Sequence, residues 1–184
     1  MQHHLIIQPL DRNYDFLEDI HRYSQSLYKL ERTEICPTKI LPEYLLLSPK
    51  SLLEKLIMGK RKKIYLEDLL GELKKHFSYD SKKILLAILP HYVLGFGDDL
   101  TGLSLEPNLS IVSTYGLNER YLPQACVGIS LHEIGHNLGL KHCRSKGCLM
   151  KVPCRPKNFH NGVYRFCKQH ENELMCIEAK NNIV

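Results

Sequence analysis

The apolar pattern is densest at residues 84–89, an unbroken ILLAIL run stopped by Pro90. A continuous apolar run of this length predicts a strand covered on both faces. A shorter run at Leu5, Ile6 and Ile7, closed by Pro9, predicts a first strand. Between them, Tyr14, Leu17, Ile20, Leu27 and Tyr28 recur at helical spacing, predicting an amphipathic helix over residues 11–28 with Asp11 as its N-cap. Residues 35–47 read as extended but broken by Pro37 and Pro42, which fits an irregular or edge strand. A short helix at 51–58 precedes the basic run Lys60, Arg61, Lys62 and Lys63, and a second helix spans 64–77 with Leu66, Leu69, Leu70 and Leu73 on one face.

Residues 92–114 read as strand, turn, strand, punctuated by Gly95 to Asp99 and by Pro107 and Asn108. Leu109 to Thr114 is the last strand before a long helix that opens at Asn118 or Glu119 and runs to about Leu138. Pro123 falls near that helix's start, where a proline is tolerated. Cys126, Val127, Ile129, Leu131, Ile134 and Leu138 form its apolar side, with Cys126 acting as a small buried hydrophobe. Beyond it lies a loop rich in glycine and proline, then a final helix over 167–180.

The long helix carries the chemistry. His132 and His136 stand four apart, so both imidazoles lie on one face and can reach one metal. Glu133 follows the first of them, close to the metal but turned aside, as suits a general base acting on a zinc-bound water. A catalytic zinc takes three protein ligands, and His142 is the candidate third. Six residues past His136 is too far for the same helical face, so the helix must end near Leu138 and turn at Gly139, returning His142 to the metal. Each fixed position of HExxHxxGxxH then has a mechanical reason.

This string resembles the metzincin clan of zinc peptidases. The continuation, with Cys143 directly after His142, then Cys148 and Met150, resembles the archaemetzincins, whose pattern includes a second, structural zinc. That family pattern closes with C-x2-C about seventeen residues after the methionine. Here sixteen residues separate Met150 from Cys167, and the closing pair is Cys167 and His170. The resemblance therefore implies a structural zinc on Cys143, Cys148, Cys167 and His170, with Cys154 and Cys176 open as alternatives for the fourth ligand. Three cysteines and a histidine are an ordinary structural set. Met150 is the candidate for the methionine that packs beneath the metal-binding imidazoles without coordinating. A tyrosine that some metzincins place two residues after this methionine is replaced by Val152.

The implied fold is α+β and three-layer-like: a mixed twisted sheet with an antiparallel edge strand, a catalytic helix and a zinc-stabilised C-terminal part. One domain spans 1–184, with 1–139 above the cleft and 140–184 below. The edge strand is expected within residues 95–105, where an extended peptide could add as a further strand.

Composition narrows the setting. The chain has 184 residues, 43% hydrophobic and 24% charged, as in a soluble globular protein long enough for a proper core. Seven cysteines, an odd number and partly at metal-like spacing, favour metal over disulfides and a reducing, cytoplasmic compartment. The N-terminus lacks a basic region and long apolar core, so no signal peptide is expected, and no apolar run approaches a membrane span. A net charge of +5 is modest, and the basic run at 60–63 reads as a solvated loop, not a nucleic-acid patch.

The expectation is a monomeric, two-zinc metallopeptidase acting on a peptide or protein substrate through Glu133 and a zinc-bound water. Aminopeptidase or endopeptidase preference and a self-inhibited resting state are both open. The alternative is a zinc-stabilised protein- or nucleic-acid-binding module. Glu133 weighs against it, because binding requires zinc ligands but no base.

Overall fold

The computed structural model describes residues 3–58, 62–77, 80, 82–97, 101–105 and 108–181. In chain order, β1 (His4–Pro9), α1 (Leu17–Tyr28) and β2 (Arg32–Ile35) are followed by α2 (Leu52–Met58), β3 (Lys63–Tyr65) and α3 (Leu66–His76). Then come β4 (Lys83–Leu89), β5 (Tyr92–Leu94), β6 (Gly102–Leu105), β7 (Leu109–Ser113), α4 (Leu122–Asn137) and α5 (Lys168–Asn181).

Five strands form one sheet in the order β2-β1-β4-β7-β6. The first four run parallel and β6 pairs antiparallel with β7. Strand β4 lies at the centre, and its alternate residues serve two cores. Ile84, Leu86 and Ile88 pack with α1 and α4, whereas Leu85, Ala87 and Leu89 pack with Leu69 and Leu73 of α3. Helices thus cover both faces, giving the expected three layers, and the unbroken ILLAIL run follows from that burial. A separate parallel pair joins β3 to β5.

Local readings shift in four places. Asp11 does not cap α1. It sits at φ 56°, and its carboxylate accepts from the Leu41 backbone N–H at 2.6 Å and pairs with His91 at 2.7 Å. The side chain that could cap a helix instead ties the end of β1 to two loops, and α1 begins at Leu17. Residues 35–47 form the end of β2, isolated bridges from Leu10 to Lys39 and from Leu47 to Lys63, and a 3-10 turn at Glu43–Leu45. The helix expected over 64–77 begins at Leu66, because Ile64 and Tyr65 belong to β3.

The long helix is likewise preceded by a 3-10 turn at Glu119–Tyr121, capped by the Asn118 side chain accepting from the Arg120 N–H at 3.0 Å. From Ala125 to Gly135 every residue of α4 is buried. It is apolar on more than one side because the sheet covers one face and the C-terminal segment another. Phe159 closes that second face so tightly that a methyl group at Gly128 would lie 2.1 Å from its ring.

Lys60 and Arg61 of the basic run, Asp98 and Asp99, and Pro107 lie outside the described residues. Among the described residues no helix is long and apolar enough to cross a membrane.

Candidate active site and metal-binding clusters

Helix α4 delivers His132 and His136 one turn apart, and its backbone stops at Asn137. Gly139 takes φ 90°, a conformation glycine reaches without Cβ strain. Two backbone bonds finish the turn, from Gly139 N–H to His136 O at 2.9 Å and from Leu140 N–H to Gly135 O at 2.9 Å. The chain then brings His142 back to the helix. Its Nε2 lies 3.2 Å from that of His132 and 3.0 Å from that of His136, which are themselves 3.1 Å apart.

The outer nitrogens explain what this triangle can hold. His132 Nδ1–H donates to Leu149 O at 2.7 Å, and His136 Nδ1–H donates to Leu140 O at 2.9 Å. With the ring proton spent on Nδ1, each neutral imidazole presents a bare lone pair at Nε2. Burial also lowers the proton affinity of both rings, His132 to about 4. Two lone pairs facing each other at such distances repel unless a cation lies between them. Zinc–nitrogen bonds of about 2.0–2.1 Å in tetrahedral array require edges near ~3.3 Å, close to those found. The donor set fits zinc.

Glu133 is 6% exposed, and burial raises its carboxyl to about 7. It packs against the edge strand: a methyl group at Gly102 would lie 2.9 Å from Glu133 Oε1. Met150 is fully buried, and a methyl group at Gly135, between the two helical histidines, would meet its sulfur at 2.6 Å. The methionine thus sits under the turn of α4 that carries His132 and His136.

Cys143, Cys148, Cys167 and His170 form the second group, all four donor atoms lying within 4.8 Å of one another. His170 Nε2–H donates to Lys141 O at 2.8 Å, so its Nδ1 lone pair faces Cys148 Sγ at 3.5 Å and Cys167 Sγ at 3.3 Å. Tetrahedral zinc with bonds of about 2.3 Å to sulfur and 2.0 Å to nitrogen needs S···N edges of about 3.5 Å. Burial raises the Cys148 thiol to about 12. Burial also raises that of Cys167, but hydrogen bonds from His170 and Cys148 outweigh it and bring it down to about 6. Of the three candidates for a fourth ligand, only His170 is in this cluster. Cys154 lines the groove of the first cluster, and Cys176 is exposed on α5. His160, left out of both clusters, stacks on Tyr121 at 4.1 Å.

The clusters are joined by backbone. Cys143 N–H donates to Met150 O at 2.9 Å and Val152 N–H to Cys143 O at 3.0 Å, a short parallel bridge. It fixes His142 and Met150 together. Sequence reasoning missed this bridge, the carbonyls of Leu140, Leu149 and Lys141, and the Tyr28 hydroxyl that donates to Leu131 O at 2.5 Å. Carbonyls carry no residue-type signal, so no spacing rule could have found them. It also missed the lower groove wall at Cys154 and Arg155.

A groove of about 880 Å³ runs past the three histidines, with β6 along one side and residues 152–155 along the other. Strand β6 is hydrogen-bonded to β7 on one edge and is last in the sheet. The antiparallel edge strand expected within 95–105 is therefore Gly102–Leu105.

A sequence model of peptidase family M54 matches residues 11–175. The archaemetzincin of Saccharolobus solfataricus (strain ATCC 35092 / DSM 1617 / JCM 11322 / P2) is 30% identical over 107 residues, 53% of this chain and 57% of that protein. The archaemetzincin of Saccharolobus islandicus (strain L.S.2.15 / Lassen #1) is 32% identical over 104 residues, 52% and 55% of the two chains. The chain thus spans little more than half the length of these curated relatives. The fold matches the crystal structure of archaemetzincin from Methanopyrus kandleri with a TM-score of 0.68 at 17% identity, over 97% of both chains. It matches that of Archaeoglobus fulgidus with a TM-score of 0.63 at 19% identity, over 92% and 98%.

Proposed function

The chain belongs to peptidase family M54, and on that premise we propose that it is a zinc metallopeptidase with a second, structural zinc. His132, His136 and His142 hold the catalytic ion, and Cys143, Cys148, Cys167 and His170 hold the structural one. The observation that carries the reading is the triangle of Nε2 atoms at 3.0–3.2 Å, two of them fixed as bare lone pairs by carbonyls and all bordering an open groove. A closed set of four ligands suits structure, whereas three ligands facing a groove suit catalysis.

When bound, the catalytic zinc supplies Lewis acidity toward water and toward a peptide carbonyl. The protein supplies the rest. Substrate backbone adds along the free edge of β6, giving affinity with little demand on side chains. Glu133 takes the proton from the attacking water and passes it to the leaving amine. Its burial holds the carboxyl near about 7, so accepting and releasing that proton are both accessible at neutral pH. Gly102 leaves the carboxylate its room, since any side chain there would crowd it. Met150 supports the imidazoles from below. Both clusters are complete within one chain, which supports a monomer, and three cysteines committed to one cluster support a reducing, cytoplasmic setting.

The test is zinc content together with hydrolysis of a mixed peptide library. Wild type is expected to hold two zincs and to cleave. Glu133→Ala is expected to hold two and not cleave. A variant that cleaves at the wild-type rate would remove Glu133 as the base, and a metal-replete wild type without zinc would sink the proposal.

A further inference from the structure

The groove carries a charge that the reaction does not use. Among the described residues lining it, the ionisable groups other than the three histidines are Glu133, Cys154 and Arg155. Glu133 is buried and assigned to proton transfer. Burial raises the Cys154 thiol, which is therefore neutral. Arg155 is exposed, and among the described residues no carboxylate forms an ion pair with it. The facing wall is β6, whose lining residues Gly102 to Leu105 carry no charge and whose Leu103 and Leu105 side chains pack against the core on the α3 side of the sheet.

The backbone under Arg155 is anchored to the catalytic helix. Arg155 O accepts from Asn158 N–H at 2.9 Å, and the Asn158 side chain donates to Pro153 O at 2.9 Å. The 3-10 turn that follows, Pro156–Phe159, buries Phe159 against Gly128 of α4. Residues 153–155 are thus held relative to the helix that carries His132, Glu133 and His136. An exposed guanidinium on an anchored backbone, with no carboxylate partner among the described residues and beside a peptide groove, is suited to recognise carboxylates through paired hydrogen bonds.

We propose that Arg155 makes this groove selective for peptides bearing a carboxylate close to the scissile bond. The inference rests on the metallopeptidase reading above. The carboxylate can belong to an aspartate or glutamate side chain or to the peptide's own C-terminus. The contact is partly solvated, so a preference of about 5-fold is expected, seen mainly in KM and weakened by salt.

The test uses peptides in which glutamate and glutamine alternate at each position within three residues of the cleavage point, each with a free or amidated C-terminus. Zinc-loaded wild type, Arg155→Gln and Arg155→Glu are compared for kcat/KM. Binding of the same peptides is measured to zinc-loaded Glu133→Gln, with and without Arg155→Glu. Wild type is expected to favour the carboxylate peptide about 5-fold, Arg155→Gln to lose the preference and Arg155→Glu to reverse it. Loss of preference on amidation assigns the carboxylate to the chain end, and persistence assigns it to a side chain. An equal ratio in wild type and Arg155→Glu overturns the proposal. If no peptide is cleaved yet Glu133→Gln binds the carboxylate peptides more tightly through Arg155, selectivity stands and the peptidase reading falls. If neither cleavage nor a binding preference is found, both fall.

Discussion

Two candidate metal clusters begin on neighbouring residues, His142 and Cys143, and differ in almost every other respect. The histidine cluster joins a helix to the loop that follows it, and its third member is exposed beside a groove. The cysteine cluster joins that loop to a helix 25 residues further on, and its members Cys148 and His170 are buried. One set leaves room for a reacting molecule, and the other is filled by protein. The difference teaches that position in sequence does not decide a metal site's role. What decides it is whether protein or open space occupies the fourth direction.

The strongest test of this contrast is to remove one ligand from each side. Cys148→Ser should abolish zinc at the second cluster and lower stability by about 3–5 kcal/mol, a fall in Tm of roughly 10 °C. Activity should fall with it, because the bridge from Cys143 to Lys151 positions His142. His132→Ala should lose the other zinc and all activity with a much smaller fall in Tm. Equal destabilisation by the two variants, read by calorimetry and elemental analysis, would erase the distinction. A chelator should sharpen it kinetically: the first zinc to leave should take the activity and leave the circular dichroism spectrum unchanged.

Glu133→Gln comes next in size. It should lower kcat/KM by about 10²–10⁴-fold while both zincs remain. The same substitution tests the cost of the buried carboxyl in metal-free protein. Its folded-state value, about 7, lies above the unfolded value of about 4.3. The folded state therefore binds more protons between these limits, so the metal-free protein should lose stability as pH rises through that window, by up to about 3 kcal/mol. Glu133→Gln should flatten that slope. If urea unfolding of metal-free wild type and variant runs parallel from pH 4.5 to 7.5, the carboxyl is not desolvated as described.

The two clusters were also unequally legible from sequence. The histidine cluster could be read almost whole, because an i, i+4 pair followed by glycine and histidine leaves few geometries. Cys143, Cys148 and Cys167 were legible through spacing, but the fourth ligand was left among His170, Cys154 and Cys176. All three are capable zinc ligands, and what separates them is tertiary position: Cys154 in the loop and His170 and Cys176 on different parts of α5, which their spacing does not encode. The central strand declared itself through unbroken apolarity. Asp11 misled, since an aspartate before an apolar-periodic stretch is a good N-cap in isolation, and only the distant Leu41 and His91 drew it elsewhere. The groove walls were half legible: β6 was anticipated as an edge, whereas Arg155 had no motif to mark it.

The smallest expected effect probes the hinge between the clusters. Gly139 stands at φ 90° with nothing within 4 Å of where a Cβ would be. Gly139→Ala therefore meets no clash, and its cost is backbone strain alone, about 1–2 kcal/mol or a fall in Tm of roughly 3–6 °C. Relief of that strain would move residues 140–142 before it moved Cys143, which the bridge to Lys151 holds. The chelator half-time of the catalytic zinc should shorten several-fold while that of the structural zinc stays unchanged. Equal loosening of both ions would mean that the turn at Gly139, and not the cysteine cluster, positions the whole lower wall of the groove.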